Sequence, residues 1–207
     1  MMRPMAGDAG KGPAIEVPDS VRGLIFDCDG TLVDSMELHM EAWEQVLLRA
    51  GASFDLAFFL SKKGMKESEI LDQYNEQFHA ALDGPRIVAE KHAYFLGRVH
   101  TVKPLDAVVD VARRYSGRLP MAVASGSVRQ IVTEELRVIG IGDLFATILT
   151  ADDHLQQKPA PDMFVEAARR MKVPAHACQV FEDGDLGLLA ARKAGMAAVD
   201  VRPLTGQ

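Results

Sequence analysis

Five short apolar runs most restrict what this chain can become. They cover residues 21–26, 119–124, 145–150, 177–181 and 197–201, and each has the length of one strand. From the second run onward the intervals carry helical spacing. Residues 128–139 keep it up to Gly140. Met163, Phe164, Ala167, Ala168 and Met171 follow it behind Pro161. Leu186, Leu189, Ala190 and Lys193 continue it as far as Gly195. Apolar strands alternating with helices give an α/β fold, a doubly wound parallel sheet covered on both faces. In such sheets ligands lie beyond the carboxyl ends of the strands.

The alternation breaks once. Residues 35–99 hold no strand pattern but several helical faces. Leu38, Ala42, Trp43, Val46 and Leu47 form one, stopped by Gly51. Further helices are expected over 54–60, 69–78 and 85–99, the last behind Pro85. The spacing therefore predicts a helical insert over 35–99 between the first and second strands, with the α/β core built from 19–34 and 100–207. Residues 1–18, rich in Gly, Pro and Met without periodicity, read as a disordered tail. Gly10-Lys11-Gly12 within it lacks the spacing, the following hydroxyl and the preceding strand of a phosphate loop.

Composition excludes several classes of function. With 23 Lys and Arg against 29 Asp and Glu the chain carries −6, so a general nucleic-acid-binding face is not expected. No run approaches the ~20 apolar residues of a membrane span, and the first residues lack the apolar segment of a secretory signal. Two cysteines, Cys28 and Cys178, cannot build a disulfide framework, which points to a reducing cytoplasm. A monomer or weak dimer is expected.

Each of the first four apolar runs is followed by polar residues of a particular kind. The first ends in Asp27 and Asp29, the second in Ser125-Gly126-Ser127. The third leads to Lys158, and the fourth ends in Glu182-Asp183. In a parallel sheet these sets share one edge and converge on one pocket. Crowded carboxylates repel one another, and a hard divalent cation such as Mg2+, with oxygen ligands and a substrate phosphate, relieves that repulsion. Lys158 can neutralise a phosphoryl oxygen, while Ser125 and the backbone at Gly126 can donate to others. Asp27 is placed to attack phosphorus as a nucleophile. Asp29 can protonate the leaving alcohol and then activate water.

These stretches resemble the four motifs of the haloacid dehalogenase-like superfamily: Asp27-Cys28-Asp29-Gly30-Thr31-Leu32, then Ser125, then Lys158 in a KPAPD run, then Glu182-Asp183. The resemblance spans about residues 20 to 203 and is to the beta-phosphoglucomutase-like subgroup, especially its fructose 1-phosphate and 6-phosphogluconate phosphatases. It implies a Rossmann-like core with an inserted four-helix cap of the C1 type. It implies that Asp27 is the nucleophile and Asp29 the general acid and base. Mg2+ would be held by Asp27, by the Asp29 carbonyl and by Asp183, with Glu182 close by. Ser125, Gly126 and Lys158 would take the phosphoryl group, and His39 and Lys63 would serve the substrate from the cap. The implied reaction is hydrolysis of a small phosphorylated sugar. A hexose phosphomutase and a non-catalytic phosphosugar-binding protein are the rivals.

Two positions depart from the subgroup. Gly184 stands where a serine usually follows Glu-Asp. Glu67 falls about where the mutases carry an arginine for a second phosphate, and its charge favours hydrolysis over mutase chemistry. Ser127 and Asp185 read as helix N-caps, Asp162 as a first-turn acid, and Cys28 as buried filler.

Overall fold

The computed structural model describes residues 15–63 and 65–205. The chain enters through β1 (Gly23–Phe26), reverses in a tight turn and forms the two-residue β2 (Val33–Asp34). Four helices follow: α1 (Met36–Arg49), α2 (Leu56–Leu60), α3 (Glu67–Gln77) and α4 (Gly84–Arg98). The return strand β3 (Lys103–Pro104) pairs antiparallel with β2, so the outward and inward connections of the helical segment lie side by side. Then come α5 (Asp106–Tyr115), β4 (Met121–Ala124), α6 (Arg129–Val138) and β5 (Thr147–Leu149). The chain closes with α7 (Asp162–Met171), β6 (Cys178–Glu182), α8 (Asp185–Lys193), β7 (Ala197–Asp200) and the short α9 (Arg202–Thr205).

The main sheet has the order β5-β4-β1-β6-β7, and every neighbouring pair is parallel. Strand β1 is central, and the order reverses beside it, which puts the crevice of this fold at the end of β1. Both faces are buried, as the unbroken apolar runs require. Leu24, Phe26, Val123 and Phe181 pack on one face, Ile25, Ala122, Ala124 and Val180 on the other. Phe26 anchors the first face, stacked on Phe181 at 4.7 Å and edge-on to Phe145 at 5.8 Å.

The helical segment has an apolar cluster of its own, built from Trp43, Val46, Leu47, Phe58, Phe59, Leu71, Tyr74 and Ile87 among others. Tyr74 is buried with its hydroxyl donating to the Ser53 carbonyl at 2.5 Å. Asp55 and Asp83 cap α2 and α4 by accepting from the N–H groups of Phe58 and Arg86.

Three details differ from the sequence expectation. Helix α5 was not among the elements read from the sequence, because Val108, Val109 and Val111 are β-branched and weaken a helical signal. The expected tail is shorter. Ile15 is buried in the core, the Arg114 guanidinium donates to its carbonyl, and the Gln179 amide donates to that of Glu16. Residues 1–14, with Gly10-Lys11-Gly12, lie outside the described residues. Asp185 caps nothing by its side chain. It is the first residue of α8, and it pairs with Arg202 at 2.9 Å. Among the described residues no helix is long and apolar enough to cross a membrane.

Phe26→Ala should lower unfolding free energy by about 3–5 kcal/mol, because three rings lose their common contact. Urea denaturation checks this, and a loss under 1 kcal/mol would mean that the sheet face collapses around the gap.

Candidate active site

Strand β1 delivers Asp27 at its carboxyl end, and the Asp27 N–H still bonds to the Phe181 carbonyl at 3.0 Å. The following turn closes on the Cys28 carbonyl, which accepts from the N–H groups of Thr31, Leu32 and Val33. Gly30 has φ +77°, and a Cβ there would stand 2.4 Å from Asp183 Oδ2. Only glycine lets the turn approach that carboxylate so closely.

Asp27, Glu182 and Asp183 are all buried, and one oxygen from each lies within 4.8 Å of the others. Lys158 reaches them from the loop before α7. It is completely enclosed and donates to Asp27 Oδ1 at 2.6 Å and to Glu182 Oε2 at 2.7 Å. Burial opposes the lysine's charge, but the Asp27 and Glu182 carboxylates outweigh it and hold the ammonium above its ordinary range. One enclosed cation does not answer three acids. Burial and the Glu182 charge push Asp27 well up, and they raise Asp183 to about 6 despite Lys63 and Lys158.

This site fits a divalent metal. Its donors are carboxylate oxygens, the ligands that hard cations take, and its acids are short of positive charge. The close approach of the Gly30 turn keeps the space beside Asp183 free of side chain.

Asp29 sits in a different setting. Its Oδ1 meets the Ser35 hydroxyl at 3.0 Å and His39 Nε2 at 2.6 Å, and its Oδ2 accepts from Ser125 at 3.2 Å and Ser127 at 2.8 Å. Burial alone would raise this carboxyl, but His39 and the hydroxyl donors outweigh it and hold Asp29 ionised. Below it lies Glu135 of α6, fully buried and pushed well up by burial and the Asp29 charge. It accepts from the Cys28 thiol at 3.5 Å.

His39 links this cradle to the helical segment. Lys91 of α4, itself enclosed, bonds to His39 Nδ1 at 2.6 Å. An ammonium only donates, so Nδ1 must accept and Nε2 carries the hydrogen given to Asp29. Burial and the neighbouring Lys91 charge lower the imidazole's pKa, against the pull of Asp29. Lys91 is answered by Glu67 of α3, whose other oxygen meets His92. Lys91 and the His92 bond outweigh burial and lower Glu67 to about 2.

Both settings open onto one cleft of about 630 Å³, counting its part open to solvent. Asp27, Asp29, Gly126, Ser127, Glu182 and Asp183 line it from the sheet edge; His39, Trp43, Lys63 and Glu67 line it from the helical segment. Lys63 lies on Asp183, its Nζ 3.3 Å from Oδ2. Gly64 beside it is outside the described residues.

Several site residues were not read as such from the sequence. Ser127 is no N-cap: α6 begins at Arg129, whose N–H is accepted by Asp152 at 2.9 Å, and the Ser127 hydroxyl turns to Asp29 instead. Glu135 left a readable signal, an acid on the helix face of Ile131, Val132 and Leu136. Lys91 left the same signal four residues after Ile87 and four before Phe95.

Residues 24–201 match the family described as haloacid dehalogenase-like hydrolase. The chain belongs to that family. Among haloacid dehalogenase-like relatives it is 40% identical over 183 residues to the fructose-1-phosphate phosphatase YqaB of Escherichia coli, covering 88% of this chain and 97% of that one. It is 26% identical over 198 residues to the beta-phosphoglucomutase of Bacillus subtilis, covering 90% of this chain and 87% of that one. The crystal structure of CbbY from Rhodobacter sphaeroides in complex with phosphate superposes with a TM-score of 0.77 at 23% identity, over 86% of this chain and 84% of that one, and so shares the fold.

Two substitutions test the geometry. Alanine ordinarily favours a helix over glycine by about 1 kcal/mol. Gly187→Ala in α8 should do the reverse, because its Cβ would fall 2.1 Å from the Glu182 carboxyl. A melting temperature above that of the unmodified chain would contradict the packing. Glu67→Gln should cost about 3 kcal/mol near pH 7, since an enclosed lysine loses its counter-charge. Glu67 is lowered from 4.5 to about 2, so its contribution is present above 4.5 and fades as pH falls toward 2. Urea melts at pH 7 and pH 3 should show the gap shrinking by roughly half; a constant gap would exclude the ion pair as its source.

Proposed function

We propose that this chain is a Mg2+-dependent phosphatase of small sugar phosphates, working through a phosphoaspartyl intermediate on Asp27. One observation carries the reading. Asp27, Lys158 and the Glu182-Asp183 pair come from three separate stretches of sequence and meet on one buried rim that lines the cleft under the helical segment. The 40% identity to a fructose-1-phosphate phosphatase supports a phosphorylated ketose or related sugar as substrate.

Asp27, Asp183 and the Asp29 carbonyl would hold Mg2+, with Glu182 alongside, and the bound ion would neutralise charge on the acids and the phosphoryl oxygens. Lys158 holds Asp27 by one oxygen and adds positive charge beside it. An Asp27 oxygen attacks phosphorus as the ester P–O bond breaks, and the departing sugar oxygen takes a proton. Water then attacks phosphorus, the bond to Asp27 breaks, and inorganic phosphate leaves. Asp29 serves both halves. Its donors hold it ionised here, ready to take the proton of the attacking water. It can first carry a proton to the sugar oxygen once Ser125 and Ser127 turn their hydroxyls from it to the phosphoryl group, because losing two donors raises its pKa. The helical segment acts as a cap that closes the cleft against bulk water.

Glu67 favours phosphatase over phosphomutase. It stands about where the mutases of the resembled subgroup carry an arginine for a second phosphate, and with its two oxygens taken by Lys91 and His92 it gives that phosphate no donor. The two free, buried cysteines support a cytoplasmic setting.

A release assay over a panel of sugar phosphates, with and without Mg2+, tests the reading. The expected result is metal-dependent phosphate release with the highest kcat/KM on a ketose or aldonate monophosphate. Asp27→Asn should lower kcat by at least about 1000-fold with an unchanged circular dichroism spectrum. An isomerised but still phosphorylated product would favour the mutase, and full activity in Asp27→Asn would remove the nucleophile.

A further inference from the structure

The three acids of the rim are served by two cations of different kinds. Lys158 belongs to the sheet domain, has no exposure, and commits its hydrogen bonds to Asp27 and Glu182. Neither of those bonds goes to Asp183. The cation in contact with Asp183 is Lys63, which comes from the turn between α2 and α3, on the far side of the cleft. Its side chain is 26% exposed, whereas that of Asp183 is 4% exposed, so a partly hydrated ammonium reaches down to a buried oxygen. The neighbouring Lys62 behaves differently, with its ammonium lying over the Phe58 ring at 5.2 Å.

The oxygen that Lys63 contacts is Asp183 Oδ2, the one pressed against the Gly30 turn. Asp183 is also one of the three acids whose oxygens converge closely enough to share a cation. A lysine and a divalent cation drawn to the same carboxylate repel each other, and the partly exposed lysine is the one free to move away. A lysine suits temporary occupation. Its charge is compact, its four-carbon stem is flexible, and a partly exposed pair of this kind contributes little when made and costs little when broken.

We propose that Lys63 is a built-in competitor for the metal: its ammonium holds the charge complement of Asp183 until a divalent cation replaces it. Metal binding then breaks the ion pair that ties Lys63 to the acid rim. The inference rests on the reading of Asp27, Glu182 and Asp183 as a metal site, and it adds that the cap side of the cleft sets how tightly that site binds. Removing the charge of Lys63 should therefore strengthen metal binding, the opposite of what losing a ligand or damaging the site would do.

Isothermal titration of Mg2+ into the full chain without substrate tests this. Lys63→Met should bind Mg2+ about fivefold more tightly than the unmodified chain. Lys63→Arg, which keeps the charge, should stay within about twofold of it, and so should Lys62→Met, which removes a cleft-lining charge that lies over the Phe58 ring. Equal or weaker Mg2+ binding in Lys63→Met would overturn the proposal while leaving the metal site standing. Equal tightening in Lys62→Met would also overturn it, by reducing the effect to general electrostatics. No Mg2+ binding by the unmodified chain would overturn both the proposal and the metal site beneath it.

Discussion

Three carboxyl groups buried within reach of one another are unstable by themselves, and the rest of this molecule is arranged around that fact. Asp27, Glu182 and Asp183 stay together because Lys158 is enclosed with them and because the backbone leaves no alternative. Glu182 is fixed from two sides, by Lys158 and by the N–H of Gly184 at 3.0 Å. Glycine at 187 leaves the space that the Glu182 side chain fills. An imbalance of this kind is a poor device for stability and a good one for binding cations and phosphoryl groups, since the ligand supplies what the protein omits.

Asp29 stands two residues from Asp27 and is treated in the opposite way. Donors crowd its carboxylate, and the acid beneath it, Glu135, is pushed toward its protonated form. The difference follows from strand geometry: residues 27 and 29 leave the end of β1 in a turn, where one meets β6 and the other meets the loop after β4 and helix α1. The two acids therefore hold different protonation preferences while sharing one turn, as two-step acid–base chemistry needs. The chain from Asp29 through His39 and Lys91 to Glu67 extends this control into the helical segment.

Much of this was legible in the sequence. The five parallel strands follow from uninterrupted apolar runs, which only a sheet buried on both faces explains. The shared edge of Asp27, Ser125 and Asp183 follows from parallel strand direction, and Lys158 reaches it along the loop between β5 and α7. What was not legible depended on side chains whose direction is set by tertiary packing. Ser127 had the local look of a cap, but the backbone of α6 found Asp152 instead and left the hydroxyl free for Asp29. Lys63 read as a substrate contact, and only the approach of the helical segment to the residues after β6 places it on Asp183. Helix α5 was hidden by its valines, whose branched side chains suit a strand as well as the buried face of a helix.

The two connections to the helical segment are paired, Val33 with Pro104 and Asp34 with Lys103. Because departure and return are hydrogen-bonded neighbours, the five-stranded sheet registers only a narrow doorway there, whatever the size of the room beyond it. Helical segments of other lengths or shapes could be grafted at the same doorway without altering strand order, and the phosphate chemistry at the sheet edge would be inherited intact while the choice of substrate changed.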